Sequence, residues 1–189
     1  MTLETLRAEF TSPAWTDLKN ENSILSKILL SSAFKNAQKG QSAGQIDSDT
    51  MILYGVLLCQ GNPSDKAEIF YSVLQEGGKD AHDFITASDK DLDPVIQKLC
   101  DLVTKDAYSE FTKIAGLQQL YTEEDLEKLS GDTISAFKED VYLDDVFGNF
   151  SRLEYSEWNK QSVSKALYMF NTKTLRNKLL DHAGLVNKY

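Results

Sequence analysis

The sequence is most informative at Ser151-Arg152-Leu153-Glu154-Tyr155-Ser156-Glu157-Trp158, where a loop leads into a helix. A lone aliphatic residue, Leu153, follows the loop and precedes a polar stretch that enters the helix. The same order recurs in Gly44-Gln45-Ile46-Asp47-Ser48-Asp49-Thr50-Met51 and in Asp83-Phe84-Ile85-Thr86-Ala87-Ser88-Asp89. We therefore interpret the chain as three helix-loop-helix units, centred on Ile46, Ile85 and Leu153.

Helical periodicity dominates the segments around these loops. Apolar residues recur at steps of three and four, which predicts an all-α fold of roughly eight helices. Helix starts are predicted at Pro63 or Ser64, at Asp93-Pro94 and near Tyr155, where residues that cap a helix or tolerate its first turn are found. Thr122, followed three residues later by Asp125, resembles a capping box.

Length and composition indicate one domain, residues 1–189, with a first lobe at about 23–104 and a second at about 105–189. The interval from Ile46 to Ile85 is 39 residues and that from Ile85 to Leu153 is 68. The longer interval predicts an inserted helical segment at about 105–130. It leaves open whether that insert binds a partner or contains a fourth unit.

The chain is acidic, with 29 Asp and Glu against 20 Lys and Arg and a formal charge of −9. Such a chain is repelled by phosphate backbones, so no nucleic-acid partner is expected. No apolar run approaches a membrane span and no basic-then-apolar leader opens the sequence, which predicts a cytoplasmic protein. Cys59 and Cys100 lie in apolar helical patterns and are expected to be reduced core residues.

The three loops together resemble the EF-hand family. The stretch from Ile46 to Leu102 is also similar to calcineurin B and the neuronal calcium sensor group, in which a Leu-Leu-x-x-Gly helix end, here Leu57 to Gly61, precedes a Lys-containing helix, here with Lys66. The resemblance covers about residues 23–160. It implies paired loops joined through the aliphatic residues as a two-stranded ribbon, and calcium ligands at fixed loop positions.

Several of those ligand positions lack oxygen donors. The first loop has Lys39 at the first position, and the second keeps only Asp80 and Asp89 as carboxylates at ligand positions. The third loop is the best candidate ion site if one residue is inserted, because the resemblance then implies four ligands: Asp145, Asn149, Ser151 and Glu157. We expect no cofactor, with weak Ca²⁺ binding as the remaining alternative.

No Gly-rich phosphate loop, His-x-x-x-His spacing or nucleophile elbow occurs in the sequence, so no enzymatic activity is expected. The resemblance instead implies a calcium-independent adaptor or scaffold that binds a partner helix or a larger assembly; the alternative is an atypical calcium sensor. It also suggests cytoskeletal or ciliary attachment. The candidate partner-binding residues are Met51, Tyr54, Val56, Leu57, Trp158, Leu167, Phe170 and Leu175, all of which also fit an ordinary core. A C-terminal tail helix carrying the last three of them is a second candidate to fill the groove.

Overall fold

The computed structural model describes residues 48–76, 84–88, 92–106, 122–129 and 131–185, together with a few isolated positions before residue 24. The predicted loop at Ile46 and most of the 105–130 insert lie outside these residues. The described part is mostly helical, which confirms the predicted class. The division into two lobes stays a prediction.

The described residues form eight α-helices and two short β-strands. In chain order they are α1 (Ser48–Leu58), α2 (Pro63–Glu76), β1 (Phe84–Thr86), α3 (Leu92–Asp101), α4 (Glu123–Lys128), α5 (Gly131–Phe137), α6 (Asp144–Val146), β2 (Arg152–Glu154), α7 (Tyr155–Ser164) and α8 (Thr172–His182). A π-helical segment, Leu102–Asp106, continues α3, and a second, Lys138–Leu143, joins α5 to α6. A 3-10 turn, Leu167–Phe170, precedes α8.

Local capping explains where two of these helices begin. The side chain of Asn62 accepts a hydrogen bond from the amide of Ser64 at 3.0 Å, and α2 starts at Pro63 as predicted. The amide of Asp125 donates to Thr122 Oγ1 at 3.1 Å, while the amide of Thr122 donates back to Asp125 Oδ2 at 3.2 Å. This reciprocal pair is the predicted capping box at the start of α4.

Two short strands form an antiparallel ribbon in which Ile85 lies opposite Leu153. Both side chains are 3% exposed, so each anchors its loop in the core. The ribbon brings together two segments of the chain that the longer, 68-residue interval separates.

An aromatic cluster around Trp158 forms the centre of the core. The ring of Trp158 stacks on Phe70 at 5.8 Å between centroids and lies 5.3 Å from the ring of Tyr71. At the edge of this contact, Ser64 Oγ donates to Asn159 Oδ1 at 3.1 Å and Asn159 Nδ2 donates to the carbonyl of Ser64 at 3.2 Å. Apolar burial and these two hydrogen bonds hold α7 on α2.

The C-terminal region packs onto this core in two pieces instead of the single predicted tail helix. Asn171 separates the 3-10 turn from α8, and its side chain accepts hydrogen bonds from the first amides of α8. Lys66 Nζ donates to the carbonyl of Phe170 at 2.9 Å, and Arg176 Nε donates to the carbonyl of Val103 at 2.8 Å. These two side chains satisfy carbonyls near helix ends, where main-chain partners run out.

Cys100 is buried and free, as predicted, but Cys59 is exposed, so the prediction that both thiols lie in the core is wrong for Cys59. Cys59 follows the last residue of α1 and lies on its solvent side. Within the part of the chain that the structure describes, no helix has the length and apolarity that crossing a membrane requires.

Candidate functional site

The two ribbon loops are held together by backbone and ring contacts. Beyond the ribbon, the amide of Ala87 donates to the carbonyl of Ser151 at 3.0 Å. The guanidinium of Arg152 lies over the ring of Phe84, 4.9 Å from its centroid, a cation–π contact across the two strands. The two loops therefore form one unit. The four ligands predicted for the third loop lie within or beside this unit.

Asp145 is the first of the four predicted ligands, and it lies half-buried on α6 beside Tyr168. Burial raises the pKa of Tyr168 well above its usual range, and the negative charge of Asp145 raises it further. The next helical residue, Val146, and Phe147 are both buried in the core. α6 ends at Val146, and two residues later the chain turns at Gly148, whose φ of 53° lies in the left-handed region that favours glycine.

The other three predicted ligands are placed differently from one another. Asn149 and Ser151 are exposed in the loop, and Glu157 is half-buried in the first turn of α7. Glu157 Oε1 accepts a hydrogen bond from Gln161 Nε2 at 2.7 Å, and Lys160 Nζ lies 3.8 Å from the other carboxylate oxygen. Among the residues that the structure describes, no three His, Cys, Asp or Glu side chains are grouped so as to hold a metal ion.

Most of the predicted partner-binding residues are core residues in this structure. Six of them are buried, with exposed fractions between 0% and 7%: Tyr54, Val56, Leu57, Trp158, Phe170 and Leu175. Met51 is half-buried, and only Leu167 is clearly exposed, at 47%. Three of the eight residues lie in the tail pieces, and two of these, Phe170 and Leu175, are buried in the core.

A cleft between α3 and α5 remains open. It has a volume of about 330 Å³, and its floor is formed by Ile96 and Ile134, which are almost completely buried. The residues that line it are Asp93, Pro94, Ile96, Gln97, Ile134, Ser135 and Lys138. A cleft of this size, apolar at its base and polar at its rim, is suited to an inserted apolar side chain.

Charges at the rim of this cleft are mainly negative. The ammonium of Lys138 is 12% exposed and forms ion pairs with Asp93 and, at 2.8 Å, with Glu139. Burial alone lowers the pKa of Lys138, but the hydrogen bonds and charges of these two carboxylates outweigh it, and its pKa is raised. The cation is thus already paired, and the carboxylates of Asp93 and Glu139, which are 62% and 60% exposed, outnumber it among the described residues at the rim.

A second surface, the outer face of α1, is apolar and partly exposed. Its residues point away from the buried side of the helix; Ile52, Leu58 and Cys59 are exposed, and Met51 and Gly55 are half-buried. Ile52 is 37% exposed and Leu58 is 49% exposed. No charged residue occurs between Asp49 and Asp65 in the sequence.

Sequence reasoning missed both surfaces. The cleft depends on Asp93 and Lys138, which are 45 residues apart and share no local motif. The outer face of α1 did leave a signal, because a 15-residue stretch without charge, 50–64, is long for a chain that is 26% charged. Since α1 is apolar on nearly every side, periodicity gave no indication of which side faces solvent.

The part of the chain that the structure describes is mainly helical, and one short ribbon pairs two of its loops. Comparison of the chain with protein-family models, with curated proteins and with solved structures found no match. A functional interpretation therefore depends on the geometry of the surfaces described above.

Proposed function

We propose that the protein is a calcium-independent adaptor that binds an amphipathic helix of a partner protein in the cleft between α3 and α5. The observation that carries this proposal is the cleft itself, an apolar recess of about 330 Å³ between two helices. Grooves between helices commonly accept the apolar face of a third helix through one or a few anchoring side chains.

The charge around the cleft specifies the chemistry of the partner helix. Asp132, Ser135 and Glu139 follow one another at helical steps of three and four, so the two carboxylates flank the cleft along one side of α5 and its continuation. Asp93 adds a third negative charge at the start of α3. A helix with an apolar anchor flanked by Lys or Arg complements this rim.

The ribbon supports a relationship to paired EF-hand loops. In that family the loops pair through a central aliphatic residue, and here Ile85 lies opposite Leu153 in an antiparallel ribbon. Two of the predicted ligands already have protein neighbours: Asp145 lies beside Tyr168, and Glu157 accepts a hydrogen bond from Gln161. This arrangement favours an adaptor over the alternative calcium sensor.

Binding of labelled helical peptides to the full chain, followed by fluorescence anisotropy, tests the proposal. A peptide with one apolar face flanked by Lys and Arg is expected to bind, and the same peptide with Glu in their place is expected not to. Ser135→Trp fills the cleft from its exposed rim and is expected to weaken binding about tenfold or more. Ser72→Trp, at an exposed position on α2, is the matched control.

Calcium dependence is measured in the same experiment. Peptide affinity is expected to be equal with excess calcium and with a chelator. In a Trp15→Phe background, Trp158 becomes the single tryptophan and reports on α7, which carries Glu157. A saturable calcium response of Trp158 that Glu157→Gln abolishes would overturn the adaptor proposal in favour of the sensor. Equal peptide binding by Ser135→Trp and by the parent chain would overturn the proposal that the partner helix binds in the cleft.

A further inference from the structure

We infer that Lys138 regulates the cleft between α3 and α5, because its side chain spans one end of the cleft and occupies the position that a cation of the partner helix needs. The inference rests on the proposed function, since the cleft is the same one. It adds a contact within the chain that competes with the partner. We call this contact, the ion pair of Lys138 with Asp93, the strap.

The strap joins the two walls of the cleft. Lys138 is the first residue after α5, and Asp93 lies in the first turn of α3. Both residues line the cleft, and the ammonium of Lys138 donates to the carboxylate of Asp93 on the opposite wall. Ile134, on the floor of the cleft, lies four residues before Lys138, so the strap crosses the cleft about one helical turn from Ile134.

The carboxylates of the strap are those that a partner's cation would use. Lys138 Nζ also lies 2.8 Å from Glu139 Oε1, so one ammonium binds two carboxylates. These three groups together carry two negative charges and one positive charge. One additional cation would neutralise them, and the proposed partner helix brings such a cation beside its apolar anchor. Lys138 and the partner's cation therefore compete for the same carboxylates.

The exposure of the carboxylates makes the strap exchangeable. The side chains of Asp93 and Glu139 are 62% and 60% exposed, whereas that of Lys138 is 12% exposed. Ion pairs with exposed carboxylates contribute little to stability, because water and salt replace the lost contact. The long flexible stem of lysine lets its ammonium turn to solvent while the stem stays on the apolar surface. Opening the strap therefore costs the fold little when a partner's cation arrives.

The alternative role of the strap is a brace that holds α3 and α5 at the distance a partner helix needs. A brace and a competitor predict opposite results when the cation of Lys138 is removed. Loss of a brace weakens the binding of every peptide. Loss of a competitor strengthens the binding of a cationic peptide, because both carboxylates are then available to it, and leaves the binding of a neutral peptide unchanged.

Fluorescence anisotropy with Lys138→Met distinguishes these roles, because the substitution removes the cation and keeps an unbranched apolar side chain. In dilute buffer the variant is expected to bind the helical peptide flanked by Lys and Arg about fivefold more tightly than the parent chain does, the usual size of one unit charge near partly exposed groups. The gain is expected to disappear in about 1 M salt. The same peptide with Gln in place of Lys and Arg is expected to bind both chains equally.

Two further variants are the controls. Lys138→Arg keeps the positive charge and is expected to bind the cationic peptide as the parent chain does. Lys160→Met also removes one positive charge, from the exposed pair of Lys160 with Glu157 on α7, and is expected to change neither affinity. Circular dichroism at the assay temperature verifies that all variants are folded.

Acetylation of lysine amines in the parent chain tests the competition without a substitution. Lys138 is expected to react slowly in the free chain, because its ammonium is paired and little exposed. It is expected to react faster in the complex with the cationic peptide, which releases it from Asp93. Mass spectrometry measures the acetylation of each lysine, and Lys160, which is 74% exposed, is the internal reference.

The outcomes separate this inference from the proposed function. Equal or weaker binding of the cationic peptide by Lys138→Met would overturn the inference, as would slower acetylation of Lys138 in the complex. Weaker binding by Ser135→Trp would in that case still support the cleft. Binding by Lys138→Met but not by the parent chain would support the strap as a block. If neither chain binds any of the peptides, the proposed function fails and the inference fails with it.

Discussion

Asn171 is a single residue that determines how the C-terminal region meets the core. Its extended backbone, with φ −148° and ψ 133°, ends the 3-10 turn. Its side-chain oxygen accepts hydrogen bonds from the backbone amides of Lys173 at 2.9 Å and Thr174 at 3.2 Å. These amides belong to the first turn of α8, where no main-chain acceptor is available. The cap thus lets the chain change direction and begin a new helix at once.

Replacing Asn171 by Ala is expected to lower the free energy of unfolding by about 1 kcal/mol, the usual cost of a lost N-cap. Asn177→Ala, at an exposed position inside α8, is the control and is expected to change it by less than about 0.5 kcal/mol. Urea denaturation measures both values. An equal effect of the two substitutions would show that the Asn171 side chain does not stabilise the start of α8.

At the scale of elements, α8 is held on the core by a buried apolar side and by polar contacts, among them one from Arg176. Leu175 and Leu179 are completely buried, and Leu180 is 4% exposed. On the same helix, Arg176 donates to the carbonyl of Val103 in the π-helical continuation of α3. A hydrogen bond from a charged donor to a partly buried carbonyl contributes more than a neutral one.

Arg176→Met is expected to loosen α8 from α3 without unfolding the rest of the chain. Loss of the contact with Val103 costs about 1–3 kcal/mol, which corresponds to about 5- to 150-fold faster hydrogen exchange of the α8 amides if they exchange by local opening. Lys173→Met, in the exposed first turn of α8, keeps the buried contacts and is the control. Faster exchange spread equally over α2, α7 and α8 would contradict the local interpretation.

Elements also show how far the sequence could predict this structure. The starts of α2 and α4 are encoded locally, by Pro63 after Asn62 and by the pair of Thr122 and Asp125, and both were predicted. The order of residues in the loops marked Ile85 and Leu153 as central aliphatic positions, but it did not indicate that these two loops pair with each other. The solvent side of α1 was not predictable, because a helix apolar on nearly all sides has no periodic signal for direction.

The cleft and the two-piece tail could not be predicted for a different reason. Both depend on contacts between residues far apart in the chain, such as Asp93 with Lys138 and Lys66 with Phe170. The predicted tail helix ignored the capping ability of Asn171, which competes with helix continuation. For the candidate site, the sequence indicates which types of residue are present, whereas only the structure indicates which of them lie next to one another.

At the scale of the whole molecule, the core buries several groups that ionise in base. Burial raises the pKa of Tyr54 to about 12 from an ordinary value of 10.0. Burial likewise raises the pKa of the Tyr142 and Tyr168 hydroxyls and of the Cys100 thiol far above their usual ranges. Each of these groups stays protonated in the folded chain at a pH where it ionises in the unfolded chain.

The chain is therefore expected to lose stability as the pH rises above about 9, where Cys100 ionises only in the unfolded chain, and more steeply above about 10, where the tyrosines do so as well. In this range the unfolded state binds fewer protons than the folded state. Each tyrosine that ionises only on unfolding lowers the free energy of unfolding by about 1.4 kcal/mol per pH unit, and for Tyr54 this loss ends near pH 12. Below the ordinary tyrosine pKa these groups make no such contribution. Urea midpoints measured at several pH values above neutrality give the slope.

Tyr142→Phe tests this argument. Among the described residues no group makes a hydrogen bond of good geometry with the Tyr142 hydroxyl, although the Trp158 side chain lies close enough to act on its pKa. Removal of the hydroxyl is therefore expected to cost little stability at neutral pH. Above pH 10 the variant is expected to lose stability less steeply, by about 1.4 kcal/mol per pH unit, because one ionising group is gone. Tyr142→Phe with Tyr54→Phe is expected to flatten the slope further. An unchanged slope in both variants would show that these buried phenols do not drive unfolding in base.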